Sequence, residues 1–242
     1  MTRMYGDGAR VYDALNRHKD YAAASVTLRE TLRRLVPHAA TLLDVACGTG
    51  LHLSHLRRDF RVEGLDLSPE MLEVARRRCP DVSFHEGNLV GFELNTKFDV
   101  VTCLFGSIAY AVNETDLQRA ARSMANHLRP GGALVVEPWI SPERFVSGKV
   151  VFDSTNDHDL KVARMYITAR EGRISLYDQH YLVATADHVT YFSEHEELGL
   201  FTDEEYRAAF QAAGLEVVET SDLFGYGLYV CRTGSGSIQA NG

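Results

Sequence analysis

The residue types and spacing most capable of chemistry lie in two places. One is the run Asp44-Val45-Ala46-Cys47-Gly48-Thr49-Gly50, and the other is Asp66, within Gly64-Leu65-Asp66-Leu67-Ser68. The first run follows the apolar segment TLLDV and precedes a helical one, so it reads as the turn of a β-α unit. Small residues there let the backbone turn tightly and approach a ligand, and the helix start offers N–H groups without an intrahelical partner. Asp66 comes 22 residues after Asp44, at the end of the second apolar run. A carboxylate there can accept two hydrogen bonds from a ribose diol and discourages a phosphate at the same place. A dinucleotide fold would explain a glycine turn as readily. Its G-x-G-x-x-G spacing is absent, however, and the loop opens with an acid that would repel a pyrophosphate.

The elements that must position these residues follow from the hydrophobic pattern. Between 41 and 138 short apolar runs alternate with helical segments. In order they are TLLDVAC, a helix through LHLSHLRRD, RVEGLDL, a helix SPEMLEVARRRC, VSFHEGN, FDVVTCLF, a helix ETDLQRAARSMANHLR, and ALVVEPW. That rhythm predicts a parallel sheet covered on both faces. Residues 1–40 read as a helical arm, with Val26, Leu28, Leu32, Leu35 and Val36 on one buried face before Pro37, and with Tyr5, Tyr12 and Tyr21 ahead of them. From 140 to 200 strands follow one another without helices, turning at Glu171-Gly172, as an antiparallel insertion. A helix in FTDEEYRAAFQAAG then opens at Thr202 with Glu205 three residues on, a capping box, and closes at Gly214. LEVVETS and GYGLYVCR complete the fold. The expected division is an arm or lid (1–40), a cofactor-binding core (41–139), the insertion (140–200), the end of the core (201–233) and a disordered tail (234–242).

Composition narrows the function further. The chain has 242 residues, 45% of them hydrophobic, and 25 basic against 33 acidic residues give a formal charge of −8. That balance opposes a nucleic-acid partner. No apolar run suits a membrane helix or a secretory signal, so a cytoplasmic protein is expected. Cys47, Cys79, Cys103 and Cys231 form no ligand pair and read as small buried hydrophobes, and no metal is expected. His52 and His55 are expected to be solvated on the first core helix, and Glu194-His195-Glu196-Glu197 to be a solvated turn.

Taken together, these features make the chain resemble the class I S-adenosylmethionine-dependent methyltransferases, whose first motif has the form acid-x-Gly-x-Gly-x-Gly. Ala46 stands where the first glycine is usual. Ser83-Phe84-His85-Glu86-Gly87-Asn88-Leu89 resembles that family's adenine-binding segment, with Asn88 in place of an aspartate. Phe98–Phe105 and Leu128–Glu137 resemble its fourth and fifth strands. The resemblance implies a Rossmann-like seven-stranded α/β fold with six strands running in one direction and one reversed. It also implies S-adenosyl-L-methionine as cofactor, bound by Tyr21, Asp44, Ala46, Gly48, Gly50, Asp66, Leu67, Met71, Asn88, Leu89 and Leu104.

The flanking segments Val11-Tyr12-Asp13, Lys19-Asp20-Tyr21, Ser107-Ile108-Ala109-Tyr110 and Val135–Trp139 are similar to the nucleotide-linked amino-sugar N,N-dimethyltransferases of macrolide biosynthesis. Those enzymes carry an antiparallel insertion associated with dimer formation and the substrate pocket. The resemblance implies N-methylation of a small amino-sugar acceptor and a homodimer. Tyr12, Trp139 and Tyr226 are the candidates for acceptor binding and Tyr110 for a polar catalytic assistant, while Glu137 either orients the acceptor or caps a backbone group. Three departures from that family are a shorter stretch between Tyr12 and Lys19, Ile140 in place of one of two paired tryptophans, and Phe224-Gly225-Tyr226-Gly227 in place of a Ser-Gly-Arg-Gly segment whose arginine would suit a diphosphate. The alternatives are an O-methyltransferase, which needs a base to deprotonate its hydroxyl, a cofactor-binding regulatory protein without turnover, and a nucleotide-linked dehydrogenase.

Overall fold

The computed structural model describes residues 8–221 and 227–233. Tyr5, Tyr226 and the segment 234–242 lie outside the described residues. Two helices open the chain, α1 (Gly8–Asn16) and α2 (Tyr21–Leu35). Asp20 caps α2 by accepting from Ala23 N at 2.8 Å. Leu28 and Leu32 are fully buried, but Val26 is 40% exposed. Two positions before Leu28 is about 200° around a helix, so Val26 lies on the opposite face.

The core then alternates as its apolar runs require: β1 (Thr41–Val45), α3 (Leu51–Leu56), β2 (Arg61–Asp66), α4 (Pro69–Arg78), β3 (Ser83–Glu86), β4 (Phe98–Cys103), α5 (Glu114–Asn126) and β5 (Leu128–Val136). Helix α3 stops at Leu56, short of the expected Asp59, and α5 stops before His127, whose backbone carbonyl accepts from Phe98 N. Gly131, at φ +78°, sits in an irregular stretch of β5 where Phe98 pairs with Leu128 and Val100 with Ala133.

Four strands follow, β6 (Val150–Asn156), β7 (Lys161–Glu171), β8 (Ile174–Ala184) and β9 (Val189–Gly199), forming an antiparallel sheet in sequence order. The β7–β8 turn is centred on Gly172-Arg173, one residue later than expected, with Glu171 paired to Ile174. The chain returns to the core through α6 (Asp203–Ala212), β10 (Leu215–Ser221) and β11 (Leu228–Thr233). The Thr202–Glu205 capping box is present, with Thr202 N donating to Glu205 Oε2 at 2.8 Å and Glu205 N to Thr202 Oγ1 at 3.3 Å.

The large sheet has the order β10-β11-β5-β4-β1-β2-β3, and only β11 runs against the others. Buried residues of α5 and α6 pack on one face around Leu43, Val101 and Leu134. Leu28 and Leu32 of α2 and Leu53 and Leu56 of α3 pack on the other, around Leu42 and Val100. The small sheet packs its inner face at two places. Val162, Tyr181, Val183 and Phe192 meet Val11, Ala14 and Leu15 of α1, whereas Tyr177 and Leu198 meet Ala109 beyond β4, joined by Trp139, Phe145 and Tyr166. The acidic run Glu194–Glu197 is therefore part of β9 rather than a turn. Its period of two sends Glu194 and Glu196 inward and His195 and Glu197 outward.

Candidate active site

A cleft opens where β1 and β4 end, the crevice at which such sheets present ligands. Its floor is the first motif, and the backbone there is left-handed at Ala46 (φ +58°), Gly48 (+54°) and Gly50 (+73°). The position of Ala46 thus demands a conformation that glycine adopts freely and alanine adopts at a cost of about 1 kcal/mol. A Cβ built on Gly48 would meet nothing within 4 Å, so this turn presents bare backbone to open space.

Asp66, at the end of β2, is half-buried beside that turn. Gly48 N donates to its Oδ2 at 2.7 Å and Ser68 N to its Oδ1 at 2.9 Å, which fixes the carboxylate and leaves lone pairs on both oxygens for a diol. Desolvation raises the Asp66 pKa above the ordinary carboxylate value, and the backbone bonds from Ser68, Gly48 and Leu67 moderate the rise. Leu67, next in the chain, is 63% exposed, an apolar side chain beside that carboxylate. Leu89 is buried nearby in sequence to Asn88, whose Oδ1 accepts from Val90 N at 2.9 Å and holds that turn. Met71 is half-buried on α4. These features fit an adenosine carrier: a bare glycine turn, an oriented acid and exposed apolar surface.

Asp44 is buried at the end of β1, where Thr102 Oγ1 donates to its Oδ1 at 2.6 Å. Burial pushes its carboxyl up to about 7 despite that bond, and the Asp66 charge adds to the rise. Above it, Asp44, Ala46, Gly48, Leu104, Tyr12 and Tyr21 line a compartment of about 30 Å³. That is room for little more than water. Burial, then coupling to Tyr21, holds the Tyr12 phenol well above its usual pKa, and burial with the Asp13 charge pushes that of Tyr21 up to about 12.

The arm is latched over this compartment by a residue that sequence reasoning missed. Asp13 accepts from Thr49 Oγ1 at 2.6 Å and from Arg78 Nη2 at 2.5 Å, joining α1 to the glycine turn and to the end of α4. Thr49 in the motif was the available signal for it. His52 is also a correction: it is buried, with its ring edge-on to Tyr21 at 4.9 Å, and burial lowers its pKa to about 4. Its neighbour His55 is half-buried rather than fully solvated.

Glu137 is fully buried, and its Oε2 accepts from Phe105 N at 2.6 Å, so the backbone-capping alternative is the one observed. It secures Phe105, which is left-handed at φ +65°, and Lys19 Nζ lies 3.2 Å from the centroid of that ring. Burial lowers the Lys19 pKa to about 8, with Glu137 acting against the shift. Tyr110 ends a 3₁₀ turn (Ser107–Tyr110) and is 51% exposed, with its hydroxyl donating to Glu196 Oε1 at 3.2 Å. Desolvation first, then the Glu196 charge, push this phenol well above its usual pKa, so it stays protonated. Trp139 follows the end of β5 and is half-buried. It packs over Gly106 and edge-on to Tyr177 at 6.2 Å, joining the two sheets. Among the described residues no group of three or more His, Cys, Asp or Glu could hold a metal ion.

The sheet order, the bare turn after β1 and the acid ending β2 define a class I S-adenosylmethionine-dependent methyltransferase. Residues 42–132 accordingly match a family described as a methyltransferase domain. Over 216 residues the chain is 43% identical to the dTDP-3-amino-3,6-dideoxy-alpha-D-glucopyranose N,N-dimethyltransferase of Streptomyces fradiae, covering 88% of this chain and 85% of that protein. The crystal structure of Streptomyces venezuelae DesVI matches with a TM-score of 0.88 and 39% identity, over 97% of this chain and 100% of that one. S-adenosylmethionine-bound CalS10, an amino pentose methyltransferase from Micromonospora echinaspora, matches with a TM-score of 0.83 and 38% identity, over 97% and 99%. The chain belongs to the dTDP-amino-sugar N,N-dimethyltransferase family and is an S-adenosylmethionine-dependent enzyme.

Proposed function

We propose that this enzyme dimethylates the amino nitrogen of a nucleotide-linked amino sugar in an antibiotic-sugar pathway. The observation that carries the reading is the Asp66 cradle beside the bare turn after β1, with the compartment next to it walled by the arm tyrosines Tyr12 and Tyr21. Relatives sharing nearly the whole chain are named as amino-sugar N,N-dimethyltransferases. Asp66 would hold the ribose, Leu67, Met71, Asn88 and Leu89 the adenine, and Gly48 and Gly50 the backbone-proximal part of the cofactor. Asp44, Ala46, Tyr21 and Leu104 would enclose the methionine end. When bound, the cofactor supplies a methyl carbon on a sulfonium: the acceptor's lone pair makes the new bond, the C–S pair stays on sulfur, and the ammonium formed gives its proton to water.

The protein's own work is then to bind, orient and exclude water. Tyr12 and Tyr21 close the compartment over the reacting groups, Tyr110 meets the acceptor, and the protonated Tyr110 phenol is not a base. We assign residues 1–40 as the lid, 41–139 with 201–233 as the cofactor unit, and 140–200 as the acceptor and dimer unit. Phe152, Met165, Ile167, Leu182 and Tyr191 form an exposed apolar face on the outside of the small sheet, which suits a second copy stacked on the same face. No helix among the described residues is long and apolar enough to cross a membrane, and four free cysteines suit the reducing cytoplasm.

The test is incubation with S-adenosylmethionine and either dTDP-3-amino-3,6-dideoxyglucose or its 3-hydroxy analogue, read by mass spectrometry. Two methyl groups on the amine and none on the hydroxyl support the reading. Methylation of the hydroxyl would make the enzyme an O-methyltransferase, and binding without transfer would make it a regulatory protein.

A further inference from the structure

The inner face of the small sheet is apolar at both ends, where it packs on α1 and on the turn after β4, and polar between them. One hydrogen-bonded chain crosses all four strands there. Arg164 Nε and Nη2 donate to Asp153 Oδ2 at 3.1 and 2.5 Å, and Arg164 Nη1 donates to Gln179 Oε1 at 2.9 Å. Tyr181 Oη donates to the same Gln179 oxygen at 3.1 Å. Gln179 Nε2 donates to Glu196 Oε2 at 2.7 Å, and Glu196 Oε1 takes the Tyr110 hydroxyl.

The polarity of this chain is forced from its start. A guanidinium only donates, so the side of Gln179 facing Arg164 is its oxygen, and its amide nitrogen must face Glu196. A carboxylate only accepts, so the single proton of Tyr110 is committed to Glu196. Tyr110 lies within electrostatic reach of Tyr12 and Asp66, and what its oxygen has left to offer on that side is a lone pair.

We propose that Glu196, held by Gln179, is a positioning residue that makes the Tyr110 oxygen an acceptor for the N–H of the methyl-accepting amine. The inference rests on the amine-acceptor reading above and supplies its end point. An oxygen that takes an N–H leaves the nitrogen lone pair free to attack, whereas a donor there would occupy that lone pair. A primary amine offers two such N–H groups, a methylamine one and a dimethylamine none. The site therefore retains its substrate through two transfers and releases the tertiary product.

Glu196→Gln reverses this polarity without changing shape. Gln179 keeps its bond to the new amide oxygen, the new NH₂ faces the Tyr110 oxygen, and the phenol turns its proton away from residue 196. We expect kcat with the primary and the monomethylated amino sugar to fall by about tenfold or more, the scale of one hydrogen bond gained or lost. Tyr110→Phe should fall comparably, and Glu196→Gln added to Tyr110→Phe should cost nothing further, because Glu196 acts through Tyr110. Losses that multiply in the double variant, or an E196Q enzyme with unchanged kcat, would overturn the proposal.

A second readout needs no substrate. With tyrosine isotope-labelled at Cζ, the resonance missing in Y110F identifies Tyr110, and it should shift in E196Q at neutral pH. An unmoved resonance overturns the proposal whether or not the protein is active. Wild-type protein inert toward the amino sugar refutes the amine-acceptor assignment instead, and the resonance then decides the hydrogen-bond polarity alone.

Discussion

Replacing Asp44 by Asn changes one buried atom and should change how stability responds to pH. The Asp44 carboxyl is pushed from 3.8 up to about 7, chiefly by burial. The folded-state value lies above the unfolded one, so between them the folded protein holds a proton that the unfolded chain has shed. Stability falls as pH rises from about 4 to about 7 and is level beyond. A displacement of roughly three pH units corresponds to about 4 kcal/mol. Asn keeps the acceptor oxygen for Thr102 and removes the titration, so D44N should gain on wild type by up to about that amount as pH is raised across the window. Urea unfolding of both proteins at several pH values, each referenced to its own value near pH 4, measures this directly. A difference that stays constant from about pH 4 to about pH 8 would refute the assignment of a buried, raised Asp44. If the same carboxyl meets the methionine end, as proposed, wild-type affinity for the cationic cofactor should rise with pH up to about 7, and that rise should be absent in D44N.

Other expectations follow from single contacts. Ala46→Gly relieves a left-handed alanine and should stabilise the protein by about 1 kcal/mol, read as a raised urea midpoint; a destabilised variant would contradict the strain at that turn. Asp13→Ala removes the bonds to Thr49 and Arg78, charge-assisted contacts worth about 2 kcal/mol. Amide exchange in α1 and the dissociation of S-adenosylhomocysteine should both become faster, and unchanged rates would show that the arm is not held by this latch. Phe152→Glu with Ile167→Glu places charge on the exposed sheet face and should shift sedimentation from dimer to monomer. A wild-type monomer would remove that face from the assembly.

Legibility in the sequence followed the range of the interaction. The alternation of apolar runs and helical segments determines a parallel sheet because each run is buried on both faces. The turn at Asp44–Gly50 and the acid at Asp66 were readable because their chemistry is local. Glu196 was not, because four consecutive polar residues hide a period of two, and only pairing with β8 puts alternate ones on the inner face of the small sheet. His52 was misread for a related reason. Its burial depends on Tyr21, brought over it from another helix, and a polar side chain between two leucines carries no sign of that. The contacts of Trp139 with Gly106 and Tyr177 were not legible either, because Tyr177 comes to it from the inserted sheet.

Asp66 and the turn above β1 are proposed to carry S-adenosylmethionine rather than a nicotinamide dinucleotide. Calorimetric titration of wild type and Asp66→Ala with S-adenosylhomocysteine and with NAD tests it most directly. Saturable S-adenosylhomocysteine binding to wild type is expected, with a loss of at least about tenfold in the variant from removing the oriented carboxylate, and no heat from NAD. Binding of NAD, or S-adenosylhomocysteine affinity indifferent to the loss of Asp66, would contradict it.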